Sequence, residues 1–374
     1  MIEKFKHQTQ LVIDYAALRH NLMVHRALLP DQTKIMVMVK AFAYGGGLIK
    51  VANLLSEAKV DYLGVAYANE ALSLRQEGID LPIMVMNPDF RSYPRLIDKR
   101  IEPEIFSFSS LETFISALKK NQSAAAYPIH LKIETGMNRL GFLANEYEDL
   151  VNSLKAHAHL VKVKSVFSHL ASSDNAIDDV FTINQIKQLK DLGKQLQKDL
   201  GYSFDLHIAN SAGIARFKES HLDMVRLGIG LYGYSGATVV NEQLKPVFTL
   251  KTHVSQINEI AAGDTVGYSR SYRAKESKVI ATLPIGYADG LRRGINKVDG
   301  YAMLNGKKVH YVGNICMDMC MVDVSNVNCS VGDEVIIFGN KPNLQQIATW
   351  YNTIPYEVIT GISQRVKHLY INSK

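Results

Sequence analysis

A (β/α)8 barrel followed by a smaller, mostly antiparallel β domain is the fold the sequence predicts. Three observations carry that prediction. Between about residues 33 and 233, short apolar runs rich in Val, Ile and Met alternate with amphipathic stretches, the pattern of βαβ units in a parallel sheet. Eight such runs fall within this segment, and eight units in roughly 200 residues is the arithmetic of a closed barrel. Beyond about residue 240 the helical rhythm stops, and strand-like runs separated by Gly, Asp and Asn turns take over.

The elements follow in order. Strands are predicted over 34–40 (KIMVMVK), 62–66, 82–86, 103–107, 129–134, 161–169, 204–210 and 224–229. Helices are predicted over 47–58, 69–77, 111–121, 147–156 and 180–200, with an extra one over 16–29 ahead of the barrel. In the third of these, Leu111, Phe114, Ile115 and Leu118 recur at spacings of three and four, as a single buried face requires. PVFTLKTHVSQINEI, KVIATLPIGY, KVHYVGNICMDMCMVDV and DEVIIFG read as strands of the second domain, with one helix over 344–351. The joint is placed in GYSGATVVN, residues 233–241. The barrel is assigned residues 11–240 and the β domain residues 241–374, with residues 1–10 packed on the latter.

Composition narrows the function classes. The 374 residues are 47% apolar and 21% charged, which excludes a disordered or fibrous chain. A net charge of +6 arises from 42 basic and 36 acidic residues. The basic residues are dispersed, with pairs such as Lys119-Lys120 and Arg292-Arg293 as the longest clusters; a nucleic-acid partner would need a clustered stripe. No apolar run approaches the ~18–20 residues that span a bilayer, and MIEKFKHQTQ lacks the apolar core of a signal peptide. Cys316, Cys320 and Cys329 are odd in number and close together, a poor disulfide framework. The expected location is the cytoplasm. Cys316-x3-Cys320 without a second ligand pair reads as strand cysteine, and no metal is expected. His157 and His159 read as a solvated helix end.

On this fold the chemistry sits where the strands end at their C-termini. Read in order, those ends present Lys40, Arg139, His169, Asn210 with Ser211, and Arg226, so polar groups converge from five strands. Desolvation of Lys40 would lower its pKa toward a Schiff-base or general-base role. Taken alone, the residue serves equally as a lysine snorkelling from a strand end. Gly45, Gly46 and Gly47 open one helix, Ser211 with Ala212 and Gly213 opens another, and Gly228-Ile229-Gly230 follows the eighth strand. The loops after the seventh and eighth strands are the common phosphate position on this fold. A reactive lysine, a phosphate cradle and an arginine on one rim point to pyridoxal 5′-phosphate (PLP).

The motifs then become specific. VKAFAYGGG, LKIETGMNRLG, FSHLASSD, IANSAG, VRLGIGLYG, PIGYADG, GNICMDMCMVDV and PYEVITGISQRV occur in one order along nearly the whole chain. Together they resemble the bacterial alanine racemases, whose members interconvert L- and D-alanine with PLP and supply D-alanine for peptidoglycan. The resemblance implies roles residue by residue. Lys40 corresponds to the lysine that carries PLP and acts as one base. Tyr268, in VGYSRSY, corresponds to the opposite base, supplied by the second subunit of a head-to-tail homodimer. Arg226 corresponds to the partner of the pyridine nitrogen. Tyr44, Ser211, Gly228, Ile229 and Tyr356 correspond to the phosphate-binding set, and His169 and Asn210 lie beside the ring. Arg139 and Met317 correspond to contacts of the substrate carboxylate, and Tyr287 and Tyr356 narrow the entrance. Lys132 corresponds to a lysine that many members carbamylate.

Physical logic agrees with these roles. Racemisation takes a proton from one face of the α-carbon and returns one to the other, which two opposed bases serve. A guanidinium will not protonate a pyridine, so Arg226 keeps the ring a weak electron sink and suppresses transamination. Tyr268 needs nearby positive charge to act near neutrality, and His169, bridging toward Arg226, is expected to supply it. The chain reads VKAFAYGGG and TGMNRLG where VKANAYGHG and TGMGRLG are usual, and places Glu134 where Asp is common. RVPR reads RVKH. A PLP decarboxylase of the same build would place a carboxylate at the pyridine nitrogen. A PLP-carrying regulatory protein resembles the barrel alone, and a PLP-free aldolase leaves Arg226 unused. A racemase of broader specificity, for serine or larger amino acids, is the remaining alternative, against which Tyr287 and Tyr356 predict a pocket sized for a methyl group.

Overall fold

The structure, a computed structural model, describes residues 9–121 and 125–372. They form two compact units, residues 19–43 with 47–244, and residues 9–18, 44–46 and 245–372. Strand β1 (Gln10–Asp14), which the sequence reading left largely with the barrel, forms its ladders in the second unit.

The first unit is the barrel. Its strands are β2 (Lys34–Met38), β3 (Tyr62–Val65), β4 (Ile83–Val85), β5 (Glu102–Ile105), β6 (Tyr127–Lys132), β7 (Val161–Phe167), β8 (Asp205–His207) and β9 (Met224–Leu227). They pair in parallel in the order β8-β7-β6-β5-β4-β3-β2-β9. The remaining seam is closed outside a regular ladder, by Asp223 N–H to the Leu206 carbonyl (3.1 Å) and Arg226 N–H to that of Ala209 (3.0 Å). All eight predicted strands are present, each at its place in the sequence. They bury both faces, so they read as continuous apolar runs rather than alternation. Ile35, Val37, Leu63, Val65, Ile83, Val85, Ile105, Ile129 and Leu131 are completely buried.

Helices cover the strands. Leu48–Glu57 turns Leu48, Val51, Ala52, Leu54 and Leu55 inward, and Phe108–Asn121 does the same with Leu111, Phe114, Ile115 and Leu118. Asp179–Leu200 runs 22 residues and stops at Gly201, whose φ of 76° is the left-handed C-cap that glycine adopts without penalty. The short helix Tyr93–Asp98, with Pro94 in its first turn, was not foreseen.

The second unit adds β10 (Phe248–His253), β11 (Gln256–Ile260), β12 (Thr265–Val266), β13 (Tyr272–Arg273), β14 (Lys278–Leu283), β15 (Tyr301–Leu304), β16 (Lys307–Val312), β17 (Cys320–Asp323), β18 (Glu334–Phe338) and β19 (Lys367–Ile371). Nine strands form one sheet in the order β11-β14-β17-β16-β15-β18-β10-β1-β19. Every pair is antiparallel except β1 with β19. The helix predicted over 344–351 is Leu344–Trp350, capped by Asn343, and a second one, Pro355–Thr360, follows it. Among the described residues no helix is long and apolar enough to cross a membrane.

Candidate active site

Lys40 does not end a strand. The β2 ladder stops at Met38, and Lys40 opens a turn in which Ala41, Phe42, Ala43 and Tyr44 have φ of 52°, 58°, 53° and 54°. Four successive residues are left-handed, at roughly 1–2 kcal/mol each for residues with a Cβ. Three bonds hold the turn: Ala43 N–H to the Val39 carbonyl (2.8 Å), Gly47 N–H to that of Phe42 (2.9 Å), and Ala41 N–H to Glu70 Oε1 (2.7 Å). The lysine stands open to solvent at the barrel mouth. Its amine pKa is nonetheless lowered, first by desolvation among its neighbours, then by the charge of Arg139, with Glu70 opposing and Arg226 assisting.

Arg226, on β9, is buried at 2% exposure and its guanidinium is anchored on all sides. Nη1 donates to His207 Nδ1 (2.7 Å) and to the His207 carbonyl (3.3 Å). Nη2 donates to the carbonyls of Ser168 (2.5 Å) and Ile208 (3.2 Å) and to His169 Nδ1 (3.0 Å). Nε–H alone is left without a partner among the described residues. Burial pulls the guanidinium pKa down to about 9, Glu104 opposing and Arg139 assisting, so it is charged at neutral pH. It does not pair with Asp223, whose carboxylate accepts from Leu206 N–H (2.8 Å).

His169 has its pKa lowered well below 6.5 by burial and by Arg226, Lys132, Arg139 and Lys40. The ring is therefore neutral and accepts a bond from Arg226. This corrects the expectation that His169 supplies positive charge: the charge resides on Arg226. Lys132, at the end of β6, is buried over the Phe167 ring, 4.6 Å from its centroid. Burial drives its pKa down, with Arg226 adding to the effect, while burial drives that of the neighbouring Glu104 up. Glu134 accepts from Gly136 N–H and, at 3.4 Å, from Arg139 N–H, and so ties down the turn that presents Arg139 at the surface. Asn138 in that turn has φ of 53°, a conformation in which asparagine serves in place of glycine.

Two loops shape the other side of the barrel rim. Ser211 Oγ accepts from Gly228 N–H (3.0 Å) and Gly230 N–H (3.1 Å), binding the loop after β9 to the start of helix Ser211–Arg216. Asn210 caps that helix through Gly213 N–H (2.9 Å) and receives the Ser173 hydroxyl (2.7 Å). Ile229 N–H donates to no described residue.

In the β unit, Tyr268 is 69% exposed and Met317 53% exposed. Asn314 Nδ2 donates to the Tyr268 carbonyl (3.0 Å). Tyr287 N–H and Ala288 N–H donate to the carbonyls of Cys316 and Met317, both at 3.0 Å, which fastens the Tyr287 turn to the Met317 loop. A Cβ at Gly286 would lie 2.2 Å from the Met317 carbonyl oxygen, so only glycine permits this approach. Arg365 grips buried Asp289 in two bonds (2.7 and 3.0 Å) and reaches Asp318 at 2.8 Å, bracing both loops. Tyr44 and Tyr356 meet ring to ring at 6.1 Å between centroids, and burial raises the Tyr44 phenol's pKa.

The structure thus gathers Lys40, Lys132, Arg139, His169, Asn210, Ser211, Arg226, Gly228 and Ile229 in the barrel unit, and Tyr44, Tyr268, Tyr287, Met317 and Tyr356 in the β unit. Sequence reasoning missed Glu104, His207 and the Asp289–Arg365 brace. The last lies inside two quoted motifs, PIGYADG and ISQRV; the first two carried no local signal. The three cysteines are free, and the described residues contain no His, Cys, Asp or Glu group able to hold a metal.

Comparison with known proteins accounts for both units. Residues 13–236 match the model of the alanine racemase N-terminal domain and residues 247–370 that of the C-terminal domain. The chain is 35% identical over 372 residues to alanine racemase 2 of Caldanaerobacter subterraneus subsp. tengcongensis, covering 97% of this chain and 95% of that one. Among solved structures, alanine racemase of Clostridium difficile 630 superposes with a TM-score of 0.92 at 33% identity, over 98% of this chain and 97% of that one. Alanine racemase of Bartonella henselae, solved with covalently bound pyridoxal phosphate, gives 0.87 at 29% identity, over 98% and 100%.

Proposed function

Because the chain belongs to the alanine racemase family, and so is an isomerase interconverting L- and D-alanine, we propose that it works with PLP held by Lys40 and with Lys40 and Tyr268 as the two bases. The observation that carries this reading is the environment of Arg226: neutral histidine nitrogens and carbonyls fix its terminal nitrogens, and among the described residues no carboxylate pairs with it and Nε–H is left to donate. That fits a pyridine nitrogen that must stay unprotonated. The Ile229 N–H, without a partner among the described residues, and the hydroxyl of Ser211, with Gly228, fit the phosphate, to which Tyr44 and Tyr356 add their phenols. His169 and Asn210 flank the ring.

When bound, PLP supplies an electron sink that acidifies the α-hydrogen of the amino acid it carries. The protein does the rest. Lys40, its pKa lowered, takes or returns the proton on one face. Tyr268 does so on the other and is contributed by a second copy of the chain in a head-to-tail dimer. Its exposure, and that of Met317 and Met319 at 46%, supports a covered surface there. Arg139 and the Met317 amide hold the substrate carboxylate, and Tyr287 and Tyr356 restrict the side chain to a methyl group. Burial lowers the pKa of the Lys132 amine and so favours its neutral form, the one that takes up carbon dioxide, and a carbamate there would show as the corresponding gain in native mass. The physiological role in this reading is cytoplasmic supply of D-alanine for peptidoglycan.

The test is to incubate purified protein with PLP and L-alanine and to follow the enantiomers by chiral chromatography. Approach to equal amounts at a rate proportional to protein is expected. The same rate after Lys40→Ala would contradict the assignment of Lys40. Comparable kcat/KM for lysine or arginine would overturn the narrow pocket.

A further inference from the structure

We propose that the barrel interior carries a one-directional hydrogen-bond chain from the Arg226 guanidinium to the Glu102 carboxylate, which makes Glu102, His130 and Ser165 positioning residues for Arg226. The chain crosses five neighbouring strands, one residue from each. Arg226 Nη1 on β9 meets His207 Nδ1 on β8 at 2.7 Å, and His207 Nε2 meets Ser165 Oγ on β7 at 2.8 Å. Ser165 Oγ meets His130 Nδ1 on β6 at 2.7 Å, and His130 Nε2 meets Glu102 Oε2 at the start of β5 at 2.7 Å. His130, Ser165 and His207 have no exposed surface. Phe167 stacks on His207 at 4.9 Å, and Tyr62 meets the His130 ring edge-on at 5.8 Å.

The direction of every proton follows from chemistry. Arginine has donors only, so His207 Nδ1 must accept. Burial and the charge of Arg226 hold His207 neutral, with its pKa well below 6.5. Its single proton therefore sits on Nε2 and is donated to Ser165. The serine has one proton and two partners; since His207 donates to it, that proton goes to His130 Nδ1. His130 then carries its own proton on Nε2, aimed at Glu102. Each donor and acceptor is used once, as buried polar groups require. A cationic His130 would instead leave the serine proton with no acceptor on either neighbouring ring.

The consequence reaches the other end of the barrel. Glu102, fixed further by a bond from Tyr62, sets the His130 tautomer. That tautomer sets Ser165, and Ser165 holds His207 with a lone pair facing Arg226. The reverse tautomer of His207 would set N–H against N–H and turn the guanidinium aside. The effect on racemisation rests on the proposed role of Arg226 at the pyridine nitrogen; the proton positions do not.

Neutron diffraction from deuterated crystals of the PLP-loaded protein near neutral pH reads the chain directly. Deuterons are expected on Nε2 of His207 and of His130 and on Ser165 Oγ toward His130, with Glu102 bare. A deuteron on His207 Nδ1, or on both nitrogens of His130, would overturn the proposal. Kinetics test the positioning role. Ser165→Ala is expected to lower kcat roughly tenfold, about one neutral hydrogen bond of ~1.4 kcal/mol, with KM for alanine unchanged and the visible absorption of the bound cofactor shifted. Ser165→Thr, which keeps the hydroxyl, should restore all three. Glu102→Met at the opposite rim should reproduce the loss and Glu102→Gln, which keeps an acceptor, should relieve it. Wild-type kcat in both Ser165→Ala and Glu102→Met would dismiss the positioning role even if the deuterons lie as expected. Failure to bind PLP would remove the reading of Arg226, and the same diffraction from the cofactor-free protein would then decide the chain.

Discussion

In the proposed reading, Arg226 is the single side chain that selects between reactions of one cofactor. Its terminal nitrogens are spent on His207, His169 and three carbonyls, so it can neither swing away nor give up its proton. Exchanging it for a carboxylic acid inverts that chemistry. Arg226→Glu is expected to retain PLP but to lose racemisation by at least about 100-fold, the scale of one preorganised donor, while pyruvate formed per turnover rises. Unchanged pyruvate would contradict the weak-sink account. The two bases proposed, Lys40 and Tyr268, are separable as well. Tyr268→Phe should depress α-proton exchange from L-alanine far more than from D-alanine, because Lys40 still serves the other face. Equal losses measured by mass spectrometry in deuterium oxide would break that assignment.

Elements place these residues, and the decisive ones are short. The left-handed turn from Ala41 to Tyr44 gives up several kcal/mol of backbone preference to set Lys40 at the mouth. Gly286 lets the Tyr287 turn lie against the Met317 loop. Gly286→Ala is expected to lower stability by roughly 2 kcal/mol or more, since backbone and not a flexible side chain meets the added methyl, and to raise KM for alanine through displaced Met317. A thermal melt and a KM within error of wild type would show that the loops adapt. The strands were legible in the sequence because their apolar runs are short, rich in β-branched Val and Ile and bounded by turns, and the ordered motifs singled out Lys40, Arg139, Ser211 and Arg226 as candidates. The left-handed turn was not legible, as no residue between Ala41 and Tyr44 is a glycine to announce it. Glu102, Glu104, His130, Ser165 and His207 were hidden for another reason. In a barrel buried on both faces the pattern does not distinguish an inward polar residue from an outward one, and their partners lie on other strands.

At the scale of the whole molecule, buried imidazoles govern acid stability. Burial lowers the pKa values of His25, His169 and His207 from 6.5. Below that pH the unfolded chain binds protons that these rings refuse in the native state, so stability falls as pH falls. Glu104, its pKa raised by burial, acts in the opposite sense, leaving three rings against one carboxyl. Denaturant unfolding is expected to show stability dropping between pH 7 and about 5.5, by up to ~1.4 kcal/mol per ring and pH unit; a flat profile would contradict it. The sharing of sites between two copies is the larger claim, and mixing two inactive variants tests it most directly. Lys40→Ala retains Tyr268, and Tyr268→Phe retains Lys40. If each site draws its lysine from one copy and its tyrosine from the other, refolding or exchanging the two variants together regenerates one intact site per mixed dimer. Racemase activity should then recover to about a quarter of wild type at equal mixing in a two-fold dimer, whereas a mixture no more active than the sum of the separate variants would contradict two bases contributed by two chains.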